Sequence, residues 1–327
     1  MSYQKNIELT KLFSLSLKKV DREIFKRLDE NVPLLSRIGS HLITAKGKRI
    51  RPILTLAMAA QLNDFSRNPT LLAAAVEFIH TATLLHDDVV DESDYRRGIK
   101  TANVVWGNGA CVLAGDFLFA QSFDLMVETK SIQALSVLAK ASCKITQGEF
   151  LQMQISNNPD TKLDDYYKVI GGKTAELFGA ACQSGTIIAN GNNKQIKASY
   201  DYGYNIGIAF QIIDDVMDFT EEKKTTGKNI GDDFKSGKTT LPVILAWNES
   251  DKKEKDFWIR TLKMLDQKKS DFQKAKEIIN KYKIISKCKE IASHSIKISL
   301  DALKTFPDNK YKSSLEKFAT DSLLRNS

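Results

Sequence analysis

Residues 84–91 read Leu84-Leu85-His86-Asp87-Asp88-Val89-Val90-Asp91, and residues 210–218 read Phe210-Gln211-Ile212-Ile213-Asp214-Asp215-Val216-Met217-Asp218. Both stretches set D-D-x-x-D inside an apolar run. On an α-helix the first and last Asp of each set, four apart, share a face, and the middle Asp points about 100° round toward its flank. Carboxylates crowded into one turn repel one another and weaken the helix. The apolar surroundings bury at least one side of each run, and buried anions need a counter-charge. For oxygen ligands at this density the natural counter-charge is a hard divalent cation, Mg²⁺ above all, which binds through one or two carboxylates plus substrate phosphate. Two facing sets therefore suggest a diphosphate held between Mg²⁺ ions. One acidic cluster alone is often solvated surface; two in the same apolar helical setting argue against that reading.

The rest of the 327 residues suits an all-α protein. Hydrophobic residues make up 42%, enough for a large core, and only six Pro interrupt long runs of Leu, Ala, Ile, Lys and Glu. Pro33, Pro69, Pro159, Pro242 and Pro307 sit in polar or turn-like surroundings, and Pro52 fits a helix's first turn. No uncharged apolar stretch reaches the roughly 18 residues of a membrane span. The first residues lack the apolar core and cleavage site of a signal peptide. Cys111, Cys143, Cys182 and Cys288 are scattered without C-x-x-C, as in the reduced thiols of a cytoplasmic protein. The net charge of +8 is concentrated over residues 252–312. It fits a solvated Lys-rich face, an anionic substrate or peripheral contact with an anionic membrane. No nucleic-acid motif and no aromatic-interleaved basic stripe occurs, which argues against nucleic acid. With no linker and no repeat beyond the two acidic helices, a single domain over residues 1–327 is expected.

Working outward, residues 9–30 show helical periodicity through Leu9, Leu12, Phe13, Leu17, Val20, Ile24 and Leu28. Residues 46–52 place Lys48, Arg49 and Arg51 beside Gly47 at the start of an apolar helix, and helix N-termini and Arg forks attract phosphate. His80 lies seven residues before Asp87, about two turns away on the same side. Arg96-Arg97-Gly98 follow the first acidic set. Further helices are expected over 110–130, with Phe117, Phe119, Phe123 and Met126, and over 131–153, reaching Gln147, Glu149 and Gln152. Asn157-Asn158-Pro159-Asp160 reads as a turn. Gly171-Gly172-Lys173-Thr174 lacks the Walker spacing, so it is not a P-loop; it reads as a helix kinked at the glycines with Lys173 able to reach an anion. After the second acidic helix, a Gly- and Lys-rich segment can bring Lys228 and Lys238 over it. The remaining residues read as Lys-rich amphipathic helices without chemistry.

Together these motifs resemble the trans-isoprenyl diphosphate synthases, or polyprenyl synthetases, over residues 47–242. The stretch Glu77-Phe78-Ile79-His80-Thr81-Ala82-Thr83-Leu84-Leu85-His86-Asp87-Asp88 looks closest to the long-chain branch. The resemblance implies a bundle of long helices around a deep central cavity, working as a homodimer. It implies that Lys48, Arg51, His80 and Arg97 hold isopentenyl diphosphate. Arg96, Lys173, Thr174, Gln211, Lys228 and Lys238 would serve an allylic diphosphate such as farnesyl diphosphate. Asp87, Asp88, Asp91 and Asp214 would ligate Mg²⁺, with Asp215 and Asp218 completing the second set. The family usually has two glycines before the first Lys of the basic motif; here Lys46 replaces one.

Charge then dictates the expected chemistry. Neutralising the allylic diphosphate makes it a better leaving group. The C–O bond ionises, the double bond of isopentenyl diphosphate attacks the allylic cation, and a proton is lost. The product is five carbons longer. The Thr174 hydroxyl and Gln211 carbonyl are candidates to stabilise the cation, and no Ser, Cys or His nucleophile is required. The growing tail needs an apolar tunnel. Ala82 and Thr83, just deeper than Asp87, leave it open where short-chain relatives tend to carry aromatics, and Phe123 and Met126 are candidates for its floor. A long product of about forty carbons, as for a ubiquinone side chain, follows by resemblance. The rivals are a short-chain farnesyl or geranylgeranyl diphosphate synthase, a silent subunit of a heteromeric synthase, and a terpene cyclase. A silent subunit tends to lose an aspartate set, and a cyclase has no use for Lys48, Arg51 and His80.

Overall fold

The structure, a computed structural model, describes residues 7–28, 32–44, 47–96, 98–220 and 231–323. Among them the chain is almost wholly helical, as expected. The apolar periodicity of residues 9–30 splits at Phe13 into α1 (Ile7–Leu12) and α2 (Ser14–Arg27). Then come α3 (Pro33–Thr44), α4 (Ile50–Gln61) and α5 (Arg67–Val90). A short antiparallel hairpin follows, β1 (Tyr95–Arg96) with β2 (Ile99–Lys100), turning at Gly98 with φ +79°. Next are α6 (Ala102–Trp106), α7 (Asn108–Glu128), α8 (Ile132–Ile155) and α9 (Leu163–Ile170). A π turn (Gly171–Ala175) joins α9 to α10 (Glu176–Ile188), and α11 (Asn193–Thr220) carries the second acidic set. The remainder comprises α12 (Asp232–Lys235), α13 (Leu241–Glu249), α14 (Lys252–Trp258), a second π turn (Ile259–Lys263), α15 (Asp271–Lys281), α16 (Ile284–Leu303) and α17 (Lys310–Leu323).

Pro52 lies in a helix's first turn as expected, while Pro33, Pro69 and Pro242 differ from their reading as turn residues. Pro33, Pro52, Pro69 and Pro242 all lie in the first turns of helices, α3, α4, α5 and α13. A first-turn N–H has no intrahelical acceptor, so its absence in Pro breaks nothing there.

At the centre, α10 packs against α4, α5, α8 and α11, while α5 runs along α7 and α11 along α16. The buried side chains form one continuous apolar cluster from Leu9 to Ala319. Helices this close need small residues where they cross. A Cβ on Gly203 of α11 would lie 2.3 Å from the Phe178 carbonyl oxygen of α10, so backbone meets backbone. The outer helices are tied in by hydrogen bonds: Tyr202 Oη donates to Leu315 O at 2.9 Å and Gln61 Nε2 to Pro307 O at 2.6 Å. Lys317 of α17 pairs with Glu8 of α1. This framework packs α11 against the π turn that leads into α10 and brings Asp87 of α5 to 3.9 Å from Lys173 of the same turn.

Candidate active site

From Pro69 to Ile79 each residue of α5 is buried. Then His80, Thr83, Leu84 and Asp87 become partly accessible. Positions 80, 83, 84 and 87 share one helical face, so the helix presents a stripe to a cleft, and His86, Val89 and Val90 are accessible off that stripe. The middle carboxylate of the first set does not face that cleft. Asp88 is 0% exposed, and its Oδ1 accepts from Arg96 Nε and Nη2, each at 2.8 Å. Its Oδ2 is buried with no hydrogen-bond partner. Burial pushes the pKa of both Asp87 and Asp88 above the ordinary carboxylate value. Asp91 lies at the exposed C-terminal end of α5.

The second set repeats the plan. Asp215, 1% exposed, accepts from Tyr166 Oη at 2.7 Å and from Gln211 Nε2 at 2.8 Å. Thr174 Oγ1 donates to Gln211 Oε1 at 2.9 Å, so a fixed chain runs Thr174, Gln211, Asp215. Burial pushes the Asp215 carboxyl up to about 7, with Lys238 opposing and Asp233 reinforcing the rise. Asp218 accepts from the Gly231 N–H at 3.1 Å, while its Oδ2 is buried without a partner. Burial and then Asp233 push it to about 6. Burial disfavours the Lys238 charge, but Asp233, Asp215 and Asp214 outweigh it and hold the ammonium ionised.

Lys173 joins the two walls. Its Nζ lies 2.6 Å from Glu149 Oε2 and 3.9 Å from Asp87 Oδ2. With Thr174, Gln211, Asp215 and Lys238 it lines a pocket open to solvent. The expected kink at the glycines is the π turn, and the glycines have a second role. A Cβ on Gly148 of α8 would lie 2.5 Å from the Lys173 backbone nitrogen, and one on Gly172 would lie 2.8 Å from Lys144 O. Only at that separation can Glu149, the neighbour of Gly148, reach Lys173. Glu149 is itself held high by burial, against Lys173 and with Asp87 and Asp91 adding to the rise.

In the basic motif, Arg51 Nη1 lies 3.1 Å from His80 Nε2, and the guanidinium sits 4.3 Å over the Phe178 ring. Arg49, with φ 49°, turns away to Glu77 at 2.5 Å and Asp21 at 3.5 Å. Lys48 is exposed. Arg97 and Lys228 lie outside the described residues. Ala82 is fully buried, Thr83 Oγ1 donates to His80 O at 2.8 Å, Met126 is buried in the core, and Phe123 is 40% exposed beside Phe119. Sequence reasoning assigned nothing to Glu149, Tyr166 or Asp233. Glu149 and Tyr166 meet their partners across helices, which no spacing in the sequence announces, and Asp233 pairs locally with Lys238 at 3.4 Å. Among the described residues no three or more acidic, His or Cys side chains close around one point as a finished metal site. The partnerless oxygens of Asp88 and Asp218 nevertheless mark both walls as short of positive charge.

This fold is the all-α architecture of isoprenoid synthases. The polyprenyl synthetase family profile matches residues 32–281, and the chain belongs to that family. It is 38% identical to an octaprenyl diphosphate synthase of Haemophilus influenzae, over 98% of this chain and 97% of that one. It is 37% identical to an all-trans-nonaprenyl-diphosphate synthase of Rhodobacter capsulatus, over 90% of each. The crystal structure of a decaprenyl diphosphate synthase from Rhodobacter capsulatus superposes with a TM-score of 0.95 at 41% identity, covering 98% of this chain and 99% of that one. A polyprenyl synthase from Caulobacter crescentus, crystallised with calcium and isoprenyl diphosphate, gives 0.93 at 42%, covering 98% and 97%.

The raised carboxyls set a pH dependence. Asp215 and Asp218 bind protons more tightly in the fold than does a free aspartate, whose pKa is about 4. Their stabilising contribution is therefore complete below about pH 4 and is lost as pH rises through about 6 to 7. Without metal, the urea midpoint should fall between about pH 5 and pH 8, and a divalent cation should restore more stability at the upper pH. A cation effect equal at both pH values would contradict this.

Proposed function

We propose that this chain condenses isopentenyl diphosphate with an allylic diphosphate, repeatedly, to an all-trans polyprenyl diphosphate of about forty carbons that supplies a quinone side chain. The observation that carries this reading is Lys173. It contacts Glu149 and Asp87 and lines the same cavity as Asp215 and Lys238. A long product is supported by the octaprenyl, nonaprenyl and decaprenyl synthases to which the chain is similar over nearly its full length.

The chain's own residues supply binding and orientation. Lys173 and Lys238 offer two ammonium groups to the leaving diphosphate. Arg51 and His80, 3.1 Å apart at the start of α4 and on α5, offer donors to the second diphosphate. Asp87 and Asp91 from α5 and Asp214 from α11 would hold Mg²⁺, with Asp88 and Asp218 behind them. The partnerless oxygens and desolvated carboxyls fit that assignment. When bound, the metal supplies charge neutralisation on the diphosphate. Asp215 acts chiefly as a brace, since Tyr166 and Gln211 already occupy both its oxygens, and Arg96 holds Asp88 through one oxygen. Thr174 donates its proton to Gln211, so its oxygen lone pairs remain to face an allylic cation. The electron pair of the broken C–O bond leaves with diphosphate. The double bond of isopentenyl diphosphate forms the new C–C bond, and the proton lost goes to that departing diphosphate.

We propose a homodimer as well. Val112, Leu113 and Val127 on α7, with Ile132, Phe150 and Met153 on α8, are all exposed; Leu113 reaches 71% and Ile132 79%. By length and composition alone α7 could cross a membrane, yet one of its faces packs along α5. A second copy covering the outer face accounts for both.

Incubation with labelled isopentenyl diphosphate, farnesyl diphosphate and Mg²⁺ should give incorporation. Asp87→Ala or Asp214→Ala should each lower it by about a hundredfold or more. No incorporation by the unsubstituted protein would reject the reading. In the same assay Ala82→Phe should shorten the product, and an unchanged chain length would remove Ala82 from the tunnel. Sedimentation should give a dimer, converted to monomer by Leu113→Arg with Phe150→Arg; a monomeric unsubstituted protein would exclude this interface.

A further inference from the structure

Glu176 is 6% exposed, follows the π turn directly, and has no part in the chemistry above. Its backbone N–H donates to Gly171 O, five residues back, and so closes the π turn. Its carboxylate accepts two hydrogen bonds from Lys144 Nζ on α8, both at 3.1 Å, and one from Tyr200 Oη on α11 at 2.8 Å. Tyr200 stacks on Tyr204 with ring centroids 5.5 Å apart. The Tyr204 hydroxyl lies over Gly171, where a Cβ would come within 2.4 Å of it. The π turn is therefore held at both ends from neighbouring helices: Gly171 beneath Tyr204, and Glu176 between Lys144 and Tyr200.

A π turn is an α-helix with one residue too many, and such bulges persist only where contacts outside the segment favour them. Relaxing this one to the α register would turn the preceding residues by about 100° relative to α10. Lys173 and Thr174 lie inside the turn. We propose that Glu176 is a positioning residue: its clasp with Lys144 and Tyr200 selects the π register and thereby aims Lys173 and Thr174 at the allylic diphosphate. This rests on the reading of those two residues as ligands of that diphosphate. A buried carboxylate satisfied only for its own sake would affect stability without favouring one substrate over the other.

The test separates these. Glu176→Gln, which keeps the size and part of the hydrogen bonding, should raise KM for the allylic diphosphate about tenfold and leave KM for isopentenyl diphosphate within about twofold. Hydrogen exchange at the amides of residues 171–176 should quicken in the same variant. The exchanged pair Lys144→Glu with Glu176→Lys should recover most of the allylic KM and the protection. Equal shifts in both KM values, no shift in either, or faster exchange with an unchanged allylic KM would each overturn the positioning role. Lys173→Met, measured alongside, tests the underlying reading. If it leaves the allylic KM unaltered, that reading fails, whereas unaltered exchange in Glu176→Gln identifies failure of the clasp itself.

Discussion

Burial removes hydration from a carboxylate and raises the free energy of its ionised form. Asp87, Asp88, Asp215 and Asp218 are all held above their ordinary pKa chiefly for that reason. The fold compensates in part and unevenly. Arg96 answers one oxygen of Asp88, and Tyr166 and Gln211 answer both oxygens of Asp215. One oxygen each of Asp88 and Asp218 is left over. Asp215 is thus secured by the protein, while Asp88 and Asp218 each keep one buried oxygen short of positive charge. Such a deficit suits a hard cation.

Lysine placement follows from backbone approach. An ammonium at the end of a flexible stem would normally find the solvent. Gly148 and Gly172 let α8 and the π turn touch, and the contact puts Glu149 within 2.6 Å of Lys173 Nζ. Asp87 is on the other side at 3.9 Å. Lys173 is thereby kept in the cleft, and part of the cost of ordering it is met by folding.

The aspartate sets, the helical class and the positions of the long helices were legible because each is a local pattern. D-D-x-x-D places its own residues on one turn, and apolar periodicity needs only its neighbours. Lys173 and Thr174 were legible through the flanking glycines, though the form of the kink, a π turn, was not. The partners of the site were hidden. Glu149 lies 24 positions from Lys173 and Tyr166 lies 49 from Asp215, so only the crossing of helices joins them. Arg49 misleads in the other direction: beside Lys48 and Arg51 it reads as a third phosphate donor, yet its left-handed backbone sends it to Glu77 and Asp21. Pro33, Pro69 and Pro242 mislead likewise, because a first turn and a loop look alike until the helix that follows is seen.

Lys317 and Glu8 are 309 positions apart, and Gln61 reaches the Pro307 carbonyl across 246. Contacts of such separation cannot form until nearly the whole chain has been synthesised, and each closes a long loop at an entropic cost. Until α17 docks, α4 and α11 keep apolar surface open to water and to other nascent chains. The molecule therefore has a long vulnerable interval during synthesis, in which its greasy helices must be shielded by speed, by low concentration or by a chaperone.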